Sequence, residues 1–138
     1  MADSAITQIA AQMATSLKTT SLVNAARGQI SKVGSYPVAE IRFENGGESV
    51  YDFNSINRVP YEVEITVRGK SLNQVETALA EIATLFNVGD TAYVALQALD
   101  VGFFDILFRE WNVPDEKQAG AEVIGYALFD MRVEYTYT

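Results

Sequence analysis

Residues 59–86 read VPYEVEITVRGKSLNQVETALAEIATLF, and two different periods meet inside them. Tyr61, Val63, Ile65 and Val67 alternate with Glu62, Glu64, Thr66 and Arg68, the pattern of a strand with one dry face and one wet face. Gly69 and Lys70 turn the chain. Ser71 stands three residues before Gln74, the spacing of a capping box, in which side chains satisfy free N–H groups at a helix start. Leu72, Val75, Leu79, Ile82 and Phe86 then recur at steps of three and four, which predicts one apolar helix stripe. Asn87 and Gly89 suit the helix stop. The dry strand face needs a cover, and this helix is the nearest one.

Upstream, Asp3 and Ser4 can cap a first helix whose apolar face is Ile6, Ile9, Ala10, Met13 and Leu17, ending near Lys18. Residues 21–36 give no clear element, and Gly28 and Gly34 break any long one. From Val38 the period is two again, with Ala39, Ile41 and Phe43 against Glu40, Arg42 and Glu44. Asn45-Gly46-Gly47 follows, and these residues tolerate the positive φ of a tight turn. Residues 48–53 then return as the second arm of a hairpin, or all of 44–58 forms a mobile loop; a hairpin extension with a flexible tip is the favoured expectation. Pro60 fits a strand start.

Downstream, 88–99 is ambiguous, although Asp90 or Thr91 can cap a short helical turn. Residues 101–112 predict a strand with Phe104, Ile106 and Phe108 on one side and Asp105, Leu107, Arg109 and Trp111 on the other. A polar loop spans 113–122. In the last strand Phe129, Met131, Val133, Tyr135 and Tyr137 alternate with Asp130, Arg132, Glu134, Thr136 and Thr138. The expected fold is one α+β domain over 1–138: an antiparallel sheet of four to five strands with two helices packed on one face, in α-β-β-α-β-β order.

Composition narrows the chemistry. With neither Cys nor His among 138 residues, disulfides, Cys–His and Ser–His nucleophiles, and the usual zinc, haem and iron–sulfur ligands are all missing. The net charge of −8 and scattered Lys and Arg argue against binding nucleic acid by phosphate neutralisation. The acidic start, MADSAITQIAAQM, is not a signal peptide, and no run approaches the ~20 apolar residues of a membrane span. A cytosolic place of folding or assembly is expected.

The expected wet face carries Glu40, Arg42, Glu62, Glu64, Arg68, Asp130, Arg132 and Glu134. Glu62, Glu64 and Asp130 are candidates for a hard-cation site or acid–base work. Cross-strand pairing of opposite charges on a solvated face is the stronger reading, because Arg42 and Arg132 are interleaved with the acids. Asp52, Asn54 and Asn57 loosely resemble calcium ligands, but lack the turn glycine and closing Glu of such a loop. Gly46-Gly47 opens no P-loop. No catalytic residue, metal or cofactor is expected. Tyr51, Phe53 and Trp111 are aromatic near loops, which suits either core packing or a subunit interface.

The order of elements resembles the tail terminator and tail completion proteins of long-tailed bacteriophages. The resemblance lies in the amphipathic helix Ile6 to Leu17, the strand and Asn-Gly-Gly stretch Val38 to Phe53, and the strand and helix Tyr61 to Phe86. It continues through the strands Phe103 to Trp111 and Phe129 to Tyr137, with the ending FDMRVEYTYT. It covers nearly the whole chain by order and length, without a diagnostic residue string. It implies a non-enzymatic virion protein, assembled in the host cytoplasm as a homo-oligomeric, usually hexameric, ring on the head-proximal end of the tail tube. The tail tube protein and a head-neck connector protein would be its partners, and DNA would pass through the lumen without specific binding. On this resemblance, the loops at 44–58 and 113–122 contact neighbours, with Asn45, Gly46, Gly47, Tyr51, Phe53, Trp111, Asp115 and Lys117 as interface residues. Another neck or tail-tube component, or a small carboxylate-based cation-binding domain, is the alternative.

Overall fold

A computed structural model describes residues 5–30, 33–45, 50–51, 56–114 and 122–136. The elements are α1 (Ala5–Leu17), β1 (Asn24–Arg27), β2 (Val38–Asn45), β3 (Val50–Tyr51), β4 (Ile56–Gly69), α2 (Leu72–Leu85), α3 (Thr91–Gln97), β5 (Phe103–Asn112) and β6 (Val123–Thr136). The sheet runs β1-β2-β4-β6-β5, with β3 paired to β4 beyond the end of β2. All three helices lie against one face, so the expected α+β architecture is present. Two features extend it: β1 runs parallel to β2, making the sheet mixed, and α3 is a third helix.

The central strand and helix form as their periods dictate. Ser71 Oγ accepts from Gln74 N at 3.2 Å, and Gln74 Oε1 reaches past the N-cap to accept from Lys70 N at 2.7 Å. Val75, Ala78, Leu79, Ile82 and Phe86 are buried, and so is the α1 stripe. Each such aliphatic side chain contributes roughly 1.5–3 kcal/mol by leaving water. Below them lies the dry side of β4 and β6, where Val63, Ile65 and Val67 neighbour Phe129, Ala127 and Gly125 in register. Phe129 is gripped edge-on by Phe86 of the α2 cap and by Phe108 of β5, at 5.7 and 5.5 Å between ring centres.

Two sequence expectations are overturned. Gly46 and Gly47 lie outside the described residues, but the strands flanking them, β2 and β3, pair with β4 and are not the two arms of a hairpin. The register Asn45↔Tyr61 gives way to Val50↔Arg58, so β3 continues in the direction of β2 and the chain reverses between Tyr51 and Ile56. Four residues separate Asn45 from Val50 where only Val59 and Pro60 separate their partners. The extension along β4 is therefore interrupted rather than folded back. Pro60 is also not a strand start. It lies within β4, opposite Arg132 of β6, and no described residue pairs with it on the β2/β3 side. A residue without an N–H is tolerated where a neighbouring strand is interrupted.

In β5 the strict alternation fails at two bulges, where the register against β6 shifts at Phe104 and again at Arg109. Each bulge puts two consecutive residues on the open face, Phe104 with Asp105 and Arg109 with Glu110. Phe103, Ile106, Phe108 and Trp111 consequently sit opposite Val133, Met131, Phe129 and Ala127 on the core side. Phe104 and Trp111 have thus exchanged sides relative to the sequence expectation.

Two glycines set close approaches. Gly102 has φ +95°, and a Cβ there would lie 2.1 Å from the backbone oxygen of Glu134. Gly125 faces α2, where a Cβ would meet Leu79 and Val75 side chains at 2.7 and 2.9 Å. Gly102→Ala should cost more than ~2 kcal/mol, because its obstacle is backbone and its φ is left-handed. Gly125→Ala should cost about 1–3 kcal/mol, because α2 must lift slightly. Urea unfolding of both variants checks the order; equal or negligible losses would contradict this packing.

Candidate functional site

The face of the sheet away from the helices is covered by no described helix, and it gathers half of the chain's charged residues. Its rows follow from the registers. Glu40, Thr66 and Tyr126 lie side by side, then Arg42, Glu64 and Leu128, then Glu44, Glu62 and Asp130, then Pro60, Arg132 and Asp105. Five of the six arginines are here, and each holds a carboxylate. Arg42 reaches Glu64 and Glu44 at 3.0 and 3.3 Å, and Arg58 reaches Glu134 at 3.0 Å. Arg109, delivered at a bulge of β5, spans Glu62 and Asp130 at 2.9 and 3.3 Å. Arg132 donates to both carboxylate oxygens of Asp105, through Nε at 3.0 Å and through Nη2.

The row Glu44, Glu62 and Asp130 sets like charges directly opposite one another, which is unfavourable alone. Arg42 and Arg109 offset it from the flanks. With Glu110 and Glu122, the face holds nine carboxylates against five guanidiniums, an excess of four negative charges. The exposed pairs contribute little to stability, about 0–1 kcal/mol each. Their consequence is chemical. The candidate carboxylates Glu62, Glu64 and Asp130 are occupied by arginine, and among the described residues no three Asp, Glu, His or Cys side chains are placed to hold a metal ion. The Phe104 ring lies between Arg58 and Arg132, at 4.3 and 4.7 Å from their guanidinium carbons, adding cation–π attraction.

A second cluster lies at the other end of the face. Arg68 donates to Glu122 through Nη2 at 2.8 Å and to Glu40 and the Ile30 carbonyl through Nη1, each at 3.1 Å. Tyr36 donates its hydroxyl to Glu122 at 2.7 Å, and Ile30 N donates to Glu40 at 2.6 Å. Arg68 thereby ties the segment around Ile30 and the entry to β6 onto β2 and β4. The hydrogen bonds from Tyr36 and then Arg68 hold the Glu122 carboxyl below its ordinary range, and the same Glu122 contact raises Tyr36. Tyr93, on the buried side of α3, is raised by burial and then by nearby Asp105.

The three expected interface residues that are described are not brought together. Asn45 ends β2 and Tyr51 belongs to β3, both paired with β4. Trp111 is on β5, two strands away at the far edge of the sheet. Gly46, Gly47, Phe53, Asp115 and Lys117 lie outside the described residues, as do Asp52 and Asn54 of the calcium-like spacing. Leu107, Phe108 and Val88, exposed along the β5 edge, and the Tyr36–Glu122 contact were not anticipated. Among the described residues no helix is long and apolar enough to cross a membrane. The chain matches no model of a known protein family and no curated protein.

The Arg68 cluster yields a pH-dependent expectation. Glu122 has a depressed pKa in the folded chain, so its contribution is complete above the ordinary value of 4.5 and is lost as pH falls through the lower folded value. Glu122→Gln should lose about 1–2 kcal/mol at neutral pH, roughly 3–8 °C in Tm. The gap to wild type should close on acidification below the folded value. Thermal melts from pH 7 downward check it; a gap that stays constant would contradict the ion pairing.

Proposed function

We propose that the chain is a structural protein of a long-tailed phage, forming a ring at the head-proximal end of the tail tube, with the open sheet face toward the DNA passage. The observation that carries this reading is the open face: free of described helices, acid-rich, with each of its five arginines paired to a carboxylate. Phosphate binding releases counterions from free cations, and arginines already paired with carboxylates are poor partners for it. Its residual negative charge repels a polyanion, which suits a wall past which DNA slides. The helices on the opposite side would form the outer layer. The role asks for no catalysis, and the partners would be the tail tube and the head-side neck protein.

A tube subunit or other neck component of the same particle would share this face, and polymerisation separates the cases. Added to growing tail tubes, the protein should cap one end and stop elongation, with rings visible by negative-stain microscopy. Long tubes of the purified chain alone would make it a tube protein. Failure to bind tubes or neck would remove the reading altogether. In gel-shift assays wild type should leave duplex DNA free, whereas Glu62→Lys with Asp130→Lys should retard it at low salt and release it as salt rises.

A further inference from the structure

β1 and β2 run parallel, so the chain must cross back from the end of one to the start of the other. The described parts of this crossover are residues 28–30 and 33–37. Backbone fixes its two ends. Gly28 N donates to the Ile41 carbonyl at 3.0 Å, and the Pro37 carbonyl accepts from Val23 N at 2.8 Å. Between them, no backbone–backbone hydrogen bond forms among the described residues. Side chains hold the middle instead. Ile30 N donates to Glu40 at 2.6 Å, and the Ile30 carbonyl accepts from Arg68 Nη1 at 3.1 Å. Tyr36 donates its hydroxyl to Glu122 at 2.7 Å, and its carbonyl accepts from Gln74 Nε2 at 3.3 Å.

Glu40 and Arg68 belong to the open face, so the crossover passes on that side of the sheet. Val38 stands on the same face, opposite Arg68, yet it is only 2% exposed. It lies outside the hydrophobic cluster that packs under the helices. A roof of crossover and guanidinium accounts for its burial.

Arg68 is the junction of this roof. Its Nε and Nη2 face Glu122 at 3.3 and 2.8 Å, which leaves Nη1 for Glu40 and the Ile30 carbonyl. A guanidinium is planar and rigid, so a carboxylate gripping one side of it fixes where the other side points. Glu122 thereby acts on Ile30 without touching it. The Arg68, Glu40 and Glu122 side chains are 19%, 16% and 22% exposed, the most sheltered ion pairs among the described residues. Water competes less for such a fork than for the exposed pairs elsewhere on the face.

We propose that the crossover from β1 to β2 is a strap fastened by Arg68, and that Glu122 controls the fastening by orienting the guanidinium. Whatever takes Glu122 from Arg68 frees Ile30 and opens the roof over Val38. The crossover and the entry to β6, far apart in sequence, share one cation and loosen together. The strap works in the same way whatever the chain assembles with, so this proposal and the tail reading stand or fall separately. Glu122 is a positioning residue here, and Ile30 is where its effect is read.

Nuclear magnetic resonance of the whole chain tests the strap. The bond from Ile30 N to a carboxylate is short and charge-assisted, which places the amide proton far downfield in wild type. In Glu122→Gln this proton should move upfield and exchange with solvent about tenfold faster, equivalent to about 1.4 kcal/mol in the free energy of local opening. Arg68→Gln should do the same. Adding Glu122→Gln to Arg68→Gln should change Ile30 no further, because the effect runs through the guanidinium. The chemical shift reports the folded state alone, so a general loss of stability does not imitate the result. Circular dichroism verifies the fold; if Arg68→Gln does not fold, Arg68→Lys, which keeps the charge without the fork, takes its place. An Ile30 amide unmoved in Glu122→Gln overturns the proposal, since Glu40 and Arg68 would then hold the strap unaided. So does an Ile30 amide that moves again when Glu122→Gln is added to the Arg68 variant.

Discussion

The pairing of β4 with β6 is the constraint on which the remaining structure depends. It runs without a register break over fourteen residue pairs, from Ile56↔Thr136 to Gly69↔Val123. Both strands have a second neighbour, β2 and β3 on one side and β5 on the other, so all of the sheet is hung from this pair. Its inner side holds Val63, Ile65, Val67, Ala127, Phe129, Met131 and Val133, all buried. Its outer side holds Arg58, Glu62, Glu64, Arg68, Asp130, Arg132 and Glu134. A slip of one residue would exchange these two sets, sending valines to water and arginines under the helices. The separation of apolar and charged faces is thus what fixes the register. The partners are far apart in sequence, so loop-closure entropy is spent before the contacts form, and slow folding relative to a helical bundle is the consequence.

The parts of the fold legible in the sequence are those whose period is long and unbroken. α1, α2, β4 and β6 show apolar residues at steps of three and four, or of two, over at least eight positions, and packing agreed with each. β1 escaped because Asn-Ala-Ala-Arg has no β-branched or aromatic residue; β2 beside it and α1 above it make it a strand. α3 is short, and its N-cap Asp90 makes no side-chain capping bond, so its local signal is weak. The two bulges defeated the β5 reading, since each adds one residue that alternation cannot register. Asn45-Gly46-Gly47 carries turn residues, yet β4 continues to offer a pairing edge beyond Tyr61, and β3 pairs along it at Val50.

The open face was legible as a charged row, and interleaved arginines correctly pointed to cross-strand pairs. Which acid meets which arginine was not legible, because that depends on strand order. Arg109 lies 47 positions from Glu62, and Tyr36 lies 86 from Glu122. The exposed edge gave only a partial signal, in apolar groups on both sides of the strand and in Trp111, which suited core and interface alike. Phe108 and Trp111 look like core residues in a strand; only their place on the outermost strand leaves them partly in water.

Pairing shapes the open face: each arginine there holds a carboxylate, and the described charges keep a negative excess. Exposed ion pairs of this kind contribute little adhesive free energy. At the β5 edge Leu107, Phe108, Trp111 and Val88 keep partial contact with water, and each Å² of apolar area left there forgoes roughly 25 cal/mol that burial would supply.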